Sequence, residues 1–357
     1  MALNPSGAIS LAGPSAGQSI AVELGVSATA TISLNDTNVR TLAQVPSGVI
    51  VMPTNFWGKS NVTGIQRAIF GFGNNLPVSI TNITNLVSNT GVVATDTPGV
   101  GTPRNQLAAA SYGGDKAIFG YGNLTPARLS MTNLVSNTGV VASDTPGVGT
   151  ARAYLAAAGY GGDKAIFAYG LGVTPTPRPT IANLVSNTGV VAANTSIAGS
   201  GREQLAAAGY GGDKAIFGYG RTPSLTNITN LVSNTGVVAS DTPGVGTSRI
   251  ALAAAGYGGD KAIFGYGLVT PVSQSMTNLV SNTGVVASDT PGVGTARGNL
   301  AAAGYNGDKA IFGFGSSSIS GNQSVTNLVS NTGVVATDTP GVGTARWQLA
   351  AASYSLT

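Results

Sequence analysis

Apolar and polar positions along the chain fall into short runs broken by glycine and asparagine, without the 3.6-residue period of an amphipathic helix. The small apolar run Leu155 to Tyr160 is followed by Gly161-Gly162-Asp163 and then by the apolar-aromatic run Lys164 to Tyr169. Two such runs around a glycine turn predict a β-hairpin. A loop rich in Pro, Ser and Thr leads to Asn183 to Ser186, a turn at Asn187-Thr188-Gly189 suited to positive φ, and a further run from Val190. The pattern predicts four short antiparallel strands, here lettered A to D.

The same pattern recurs through most of the chain. Ala-Ile-Phe places its Phe at 70, 119, 167, 217, 264 and 312, and Asn-Leu-Val-Ser-Asn-Thr-Gly places its Leu at 86, 134, 184, 231, 279 and 328. Leu-Ala-Ala-Ala starts at Leu107, Leu155, Leu205, Leu252, Leu300 and Leu349. Four-stranded units about 40–50 residues long predict blades of a β-propeller, because β-helix coils are shorter. The small side chains of Leu-Ala-Ala-Ala suit the crowded innermost strand A, and the Phe of strand B and Tyr of strand A are expected to fill the space between blades. The repeats open at strand B (Arg67 to Gly73) and end at strand A (Leu349 to Tyr354), so the two ends are expected to complete one blade. Closure removes the unpaired edges that an open solenoid would leave. The expected fold is therefore all-β, a six-bladed propeller over residues 62–357 preceded by a short N-terminal segment over 1–61.

An Arg before strand A, Gly-Gly after it, an apolar-aromatic strand B ending in Gly, and a C to D turn resemble the kelch repeat over residues 62–357; in place of a Gly doublet after strand B stands Gly-Tyr-Gly or Gly-Phe-Gly, with Ala168 for the first Gly in one repeat. The N-terminal stretches Ser6 to Leu11, Ala21 to Gly25, Ser33 to Leu42, Pro46 to Met52 and Asn55 to Ser60 resemble a segment of tail-fibre and other virion proteins of tailed phages. That resemblance implies a virion component. Residues 1–61 would join other virion proteins, and the propeller, present as a homo-oligomer or in multiple copies, would lie distally on tail or capsid. A helical turn is expected over residues 35–43, capped by Asn35 or Asp36.

Composition narrows the chemistry. With no Cys and no His, the chain lacks disulfides, thiolate and imidazole catalysis and the usual zinc and haem ligands. Its 17 basic and 13 acidic residues are scattered singly, unlike the basic stripe of a nucleic-acid binder. No apolar run approaches the ~18 residues of a membrane span. Most carboxylates fall into two repeating classes, the Asp of the A to B turn and the Asp after strand D, both expected to form turns. Only Glu203 breaks the repeat, so neither an enzyme nor a metal or other cofactor site is expected.

The repeated Arg104, Arg152, Arg202, Arg249, Arg297 and Arg346 are expected to hydrogen-bond carbonyls of the D to A loops rather than a ligand. Variation between repeats gathers instead in the B to C loops and in the pair after each Arg. In an up-and-down blade these share one face, opposite the N-terminal segment. Tyr154 and Trp347 beside the axis, Arg128, Arg178 and Arg221 in the loops, and Glu203 are the candidate host-binding residues, being of types that stack on sugars or pair with anions. The expected function is attachment to a host-surface glycan or protein by a fibre, baseplate or surface protein. The alternatives are an architectural cement or decoration protein and an enzyme degrading surface polysaccharide.

Overall fold

A computed structural model of the chain describes residues 65–75, 79–173 and 177–356, with Ile20, Leu24, Leu34, Val39 and Ala43 as isolated positions before them. The segment 1–61 and the turn expected over 35–43 thus lie outside the described residues, save that Val39 and Ala43 are helical and buried. The larger compact unit runs from Ile65 to Leu356.

This unit is all-β, made of small antiparallel sheets: five of three strands, one of four and one of two. Each repeat supplies a sheet ordered A–B–C. In one repeat Ala156–Tyr160 pairs with Lys164–Ala168, which pairs in turn with Ile181–Val185. Gly161 and Gly162, at φ 63° and 79°, make the A to B turn, where a Cβ would be strained. The C to D turn uses Gly189 at φ 84°, with Ser186 Oγ accepting from the Val190 N–H at 3.1 Å.

Strand D departs from expectation. It is a strand in one repeat, Thr195–Ser196, and elsewhere among the described residues it meets strand C at isolated bridges such as Val87↔Val93 and Thr84↔Thr97. Between those bridges three steps on strand C face four on strand D, so a bulge interrupts the ladder. Asn85 spans the bulge, its Nδ2 donating to the Ala94 carbonyl at 3.0 Å and to Asp96 Oδ1 at 2.9 Å.

The two ends of the repeat region meet. Ala350–Leu356 supplies strand A to Ile65–Gly71, in register from Gly71↔Ala350 to Ile65↔Leu356, and Thr84–Val87 completes that sheet. The starts of successive A strands are also tied to one another. The N–H groups of Tyr154, Gln204, Ala251, Asn299, Gln348 and Gln106 bond to the carbonyls of Gln106, Tyr154, Gln204, Ala251, Asn299 and Gln348 at 2.7–2.9 Å, a series that returns to its start. At the opposite strand ends Gly113, Gly161, Gly211 and Gly258 donate to Asp163, Asp213, Asp260 and Asp308 carbonyls, while Asn306 uses Gln66 and Ser355 uses Asp115.

The core lies between consecutive sheets, not within any one. Ala108, Ala110, Tyr112 and Tyr121 of one repeat pack against Ala157, Ala165, Phe167 and Val185 of the next, so the Phe of strand B and the Tyr of strand A do fill the intervening space. The Tyr121 and Phe167 rings stand 5.2 Å apart, a contact worth about 0.5–1.5 kcal/mol beyond its buried area. Gly120 makes room for it: a Cβ there would lie 2.7 Å from the Phe167 ring.

Candidate functional site

The repeated arginines are structural. Arg104 is fully buried, donating from Nε to the Tyr121 carbonyl at 2.8 Å, from Nη2 to Asn133 Oδ1 at 2.7 Å and from Nη1 to the Thr102 carbonyl at 3.2 Å. Its guanidinium lies 4.3 Å over the Phe72 ring of the preceding repeat. Only the Thr102 contact is the D to A loop carbonyl that the sequence suggests; the others reach strands B and C. Burial pushes Arg104 and Arg346 down to about 10, which leaves both charged at neutral pH.

The Asp after strand D is not merely a turn former. Asp144 accepts from the Thr102 N–H and hydroxyl and from Asn133 Nδ2, and lies 3.9 Å from Arg104. Burial raises its carboxyl, but the Thr102 and Asn133 hydrogen bonds and the Arg104 charge outweigh this and hold it below the usual carboxylate value. This bulged aspartate therefore pins the loop that enters its own repeat.

Two depressions open at opposite ends of the A strands. The larger, about 270 Å³, lies on the A to B turn side among Gly159, Gly209, Gly256, Gly304, Ser111 and Ser353, with Lys164, Lys214 and Lys261 at its margin. Each of these lysines is paired with the aspartate before it, at 2.6–2.8 Å, so this end is repetitive and charge-balanced. The smaller, about 80 Å³, has the six strand-A leucines as its floor and Gln106, Tyr154, Gln204, Ala251, Asn299 and Gln348 as its rim. All six rim residues have φ between 53° and 56°, and each passes its N–H to one neighbour and its carbonyl to the other. Size alone would favour the larger cavity; the side-chain diversity needed for selective recognition is at the smaller.

The variable segments converge on that rim. The residue after each Arg bridges the start of a B to C loop: Asn105 to Asn123, Ala153 to Leu171, Glu203 to Arg221, Ile250 to Leu268, Gly298 to Ser316 and Trp347 to Asn74. Tyr154 is half-buried on the rim, and its Oη accepts from Gln348 Nε2 at 2.9 Å. Glu203, 3% exposed, accepts on Oε1 from Arg178 at 2.9 Å and from Arg221 at 3.0 Å. Trp347 is half-buried beside Gln348. Arg128 stands apart on the hairpin Lys116–Leu124/Ala127–Val135, in register with Asn123. Thus Arg178, Arg221 and Glu203 form one cluster, Tyr154 is bonded to Gln348, the chain neighbour of Trp347, and Arg128 stands apart from both. The rim glutamines, two positions after Arg104, Arg202 and Arg346, fall within the variable pair but were not among the candidate binding residues.

Among the described residues no three His, Cys, Asp or Glu side chains gather as a metal site, and no helix is long and apolar enough to cross a membrane. No family model and no curated protein matches the chain.

Proposed function

We propose that the repeat region is a six-bladed, kelch-like β-propeller and that the protein is a structural and adhesive component of a tailed-phage particle, binding the host surface with its variable face. The fold reading is supported by the sheet that both ends share and by the bonded series of rim residues that returns on itself. The adhesive reading rests on one observation above others: repeat-to-repeat variation is concentrated at one end of the inner strands, where it surrounds a depression. The opposite end keeps near-identical turns. Residues 1–61, through their resemblance to virion segments, supply the attachment to the particle. The chemistry at the rim is recognition rather than catalysis, because the single carboxylate there is held by two arginines and has no second carboxylate to work with.

An architectural role without receptor binding is favoured by one feature of the opposite face. Val92, Val140, Val190, Val237, Val285 and Val334 repeat in the C to D turns and are 65–66% exposed, a periodic surface suited to a regular partner. Deleting residues 1–61 and following incorporation into particles, together with a density map of the particle, tests both readings. A distal propeller lost from particles on deletion agrees with the adhesin. An embedded one, with the valine turns covered, moves the protein to the architectural class.

A further inference from the structure

Charge and hydrogen-bond satisfaction are both unbalanced in one sector of the variable rim. Arg178 and Arg221 share Oε1 of Glu203, two cations on one carboxylate oxygen, while Glu203 Oε2 is buried without a partner. The Nε atoms of both arginines and Oε1 of the adjoining Gln204 are likewise buried and unmatched. Such groups are costly to bury unless something completes them. The same sector has a further excess of positive charge. Asn194 stands where the other repeats carry Asp, so the buried Arg152 meets a neutral amide chain, through Asn183, rather than a carboxylate. Beside this cluster, Tyr154 already accepts a hydrogen bond from Gln348, which leaves its own proton to give. Burial raises the Tyr154 phenol further above its ordinary value, so it stays a donor at neutral pH.

We infer that Tyr154, Arg178, Glu203 and Arg221 form a subsite for an acidic sugar residue, whose carboxylate is taken by the two guanidiniums. This rests on the adhesive reading of the same face. Guanidinium donors match a carboxylate bidentately. Sugar hydroxyls supply the donors that Glu203 Oε2 and Gln204 Oε1 lack, and the sugar face has the Tyr154 ring to lie on. Inorganic phosphate and sulfate fit less well, since they bring charge for the arginines but few or no donors for the two orphaned oxygens. Glu203 acts as a positioning residue that draws two flexible arginines from different loops to one place.

The full chain is titrated calorimetrically with oligomers of galacturonate, glucuronate and N-acetylneuraminate, a neutral galactose oligomer, a sulfated dextran oligomer and inorganic phosphate. At least one carboxylated oligomer should bind, more weakly as salt rises, and the neutral oligomer should not. Arg221→Ala should weaken binding roughly tenfold or more, Arg221→Lys less, and Tyr154→Phe measurably, with thermal unfolding recorded for each to show that it is folded. The inference is overturned if no carboxylated oligomer binds, if sulfated dextran or phosphate binds better, or if folded Arg221→Ala and Tyr154→Phe both bind as well as the parent. Adsorption of particles carrying Arg221→Ala separates the two readings. Lost oligomer binding with normal adsorption keeps the subsite and sinks the adhesive reading. Failure of all carboxylated oligomers, with adsorption still dependent on Trp347, does the reverse.

Discussion

Arg346 donates from Nε to the carbonyl of Phe72 at 2.9 Å, across 274 positions of sequence. Its Nη2 reaches Asn85 Oδ1 at 2.6 Å and its guanidinium lies 4.3 Å over the Phe314 ring. Arg249 makes the same three contacts inside an uninterrupted stretch, with the Tyr266 carbonyl, Asn278 and the Tyr219 ring. The junction between the chain ends is therefore chemically equivalent to an internal one.

Equivalent junctions should fail equally. A lysine has one point charge and cannot serve the three directions of the guanidinium fork. Arg346→Lys and Arg249→Lys should each lower the unfolding free energy by about 2–4 kcal/mol, since each leaves buried partners unmatched. Urea denaturation of both variants checks this. A cost for Arg346→Lys under half that for Arg249→Lys would mean that the ends dock more loosely than the repeats. Removing residues 346–357 takes the whole inner strand of the shared sheet and should abolish the cooperative transition.

Acid should weaken the fold through the bulge aspartates. Burial raises the carboxyls of Asp96, Asp144, Asp241, Asp289 and Asp338, but hydrogen bonds from Thr or Ser and from Asn, with the nearby Arg, hold each below its ordinary value. A depressed folded pKa gives stability that is present above the unfolded value, near 3.9, and is lost as pH falls through the folded value. The melting temperature should therefore be flat from neutral pH to about pH 5 and drop steeply below 4. Asn194 shows that an amide keeps the same partners: its Oδ1 accepts from the Thr150 N–H and from Asn183 Nδ2, and its Nδ2 donates to the Thr150 hydroxyl, reversing that one bond. Asp289→Asn should then cost about 1 kcal/mol at pH 7 and remove one share of the acid sensitivity. A variant with an unchanged acid limb would assign that limb to other carboxylates.

The repeats contain their own packing experiment. Where Gly follows the Phe of strand B, rings of consecutive repeats stand 5.1–5.2 Å apart; where Ala168 follows it, the Tyr169 and Phe217 rings stand at 5.7 Å. A Cβ at Gly265 would lie 2.7 Å from the Phe312 ring. Gly265→Ala should push that ring outward and destabilise by about 1–3 kcal/mol. Thermal melting checks the size, and a crystal structure should show the Tyr266 and Phe312 rings farther apart than their present 5.1 Å. Unchanged spacing would trace the gap at Ala168 to its other neighbours.

Most of the all-β order was legible because strand and turn residues repeat in phase: the Gly161-Gly162-Asp163 hairpin and the meeting of Arg67 with Tyr354 follow directly from it. Strand D was over-read, since Val-Val-Ala promises a ladder while the extra residue that breaks it is visible only against strand C. The candidate cluster was legible as residue types alone. Arg178 and Arg221 lie in different repeats, and only folding brings both to Glu203. The left-handed rim was hidden for another reason: five of its six residues are Gln, Tyr or Ala, which at φ near 55° carry no glycine-like signal and are held by the bonds between neighbouring strands.

That rim permits a clean test of the variable face. Tyr154 on the rim and Trp347 beside it are both half-buried aromatics; Gln348, next to Trp347 in sequence, reaches the Tyr154 hydroxyl with its Nε2. Truncating an aromatic often confuses lost binding with lost structure. Here Ala251 occupies the rim position equivalent to Tyr154 at φ 55°, the same value as Tyr154, so alanine is already accepted by this backbone. Trp347 holds its place through backbone bonds to Asn74 in both directions, at 2.9 and 2.8 Å, which alanine would keep. The double variant Tyr154→Ala, Trp347→Ala should therefore fold, with a loss of no more than about 1–3 kcal/mol from uncovering the buried leucine floor beneath. Adsorption of otherwise intact particles to host cells should fall roughly tenfold or more, as expected when two aromatic anchors leave a small recognition surface. Unchanged adsorption, repeated after the hairpins ending at Leu124 and Val269 are trimmed, would remove the host-binding role from this face.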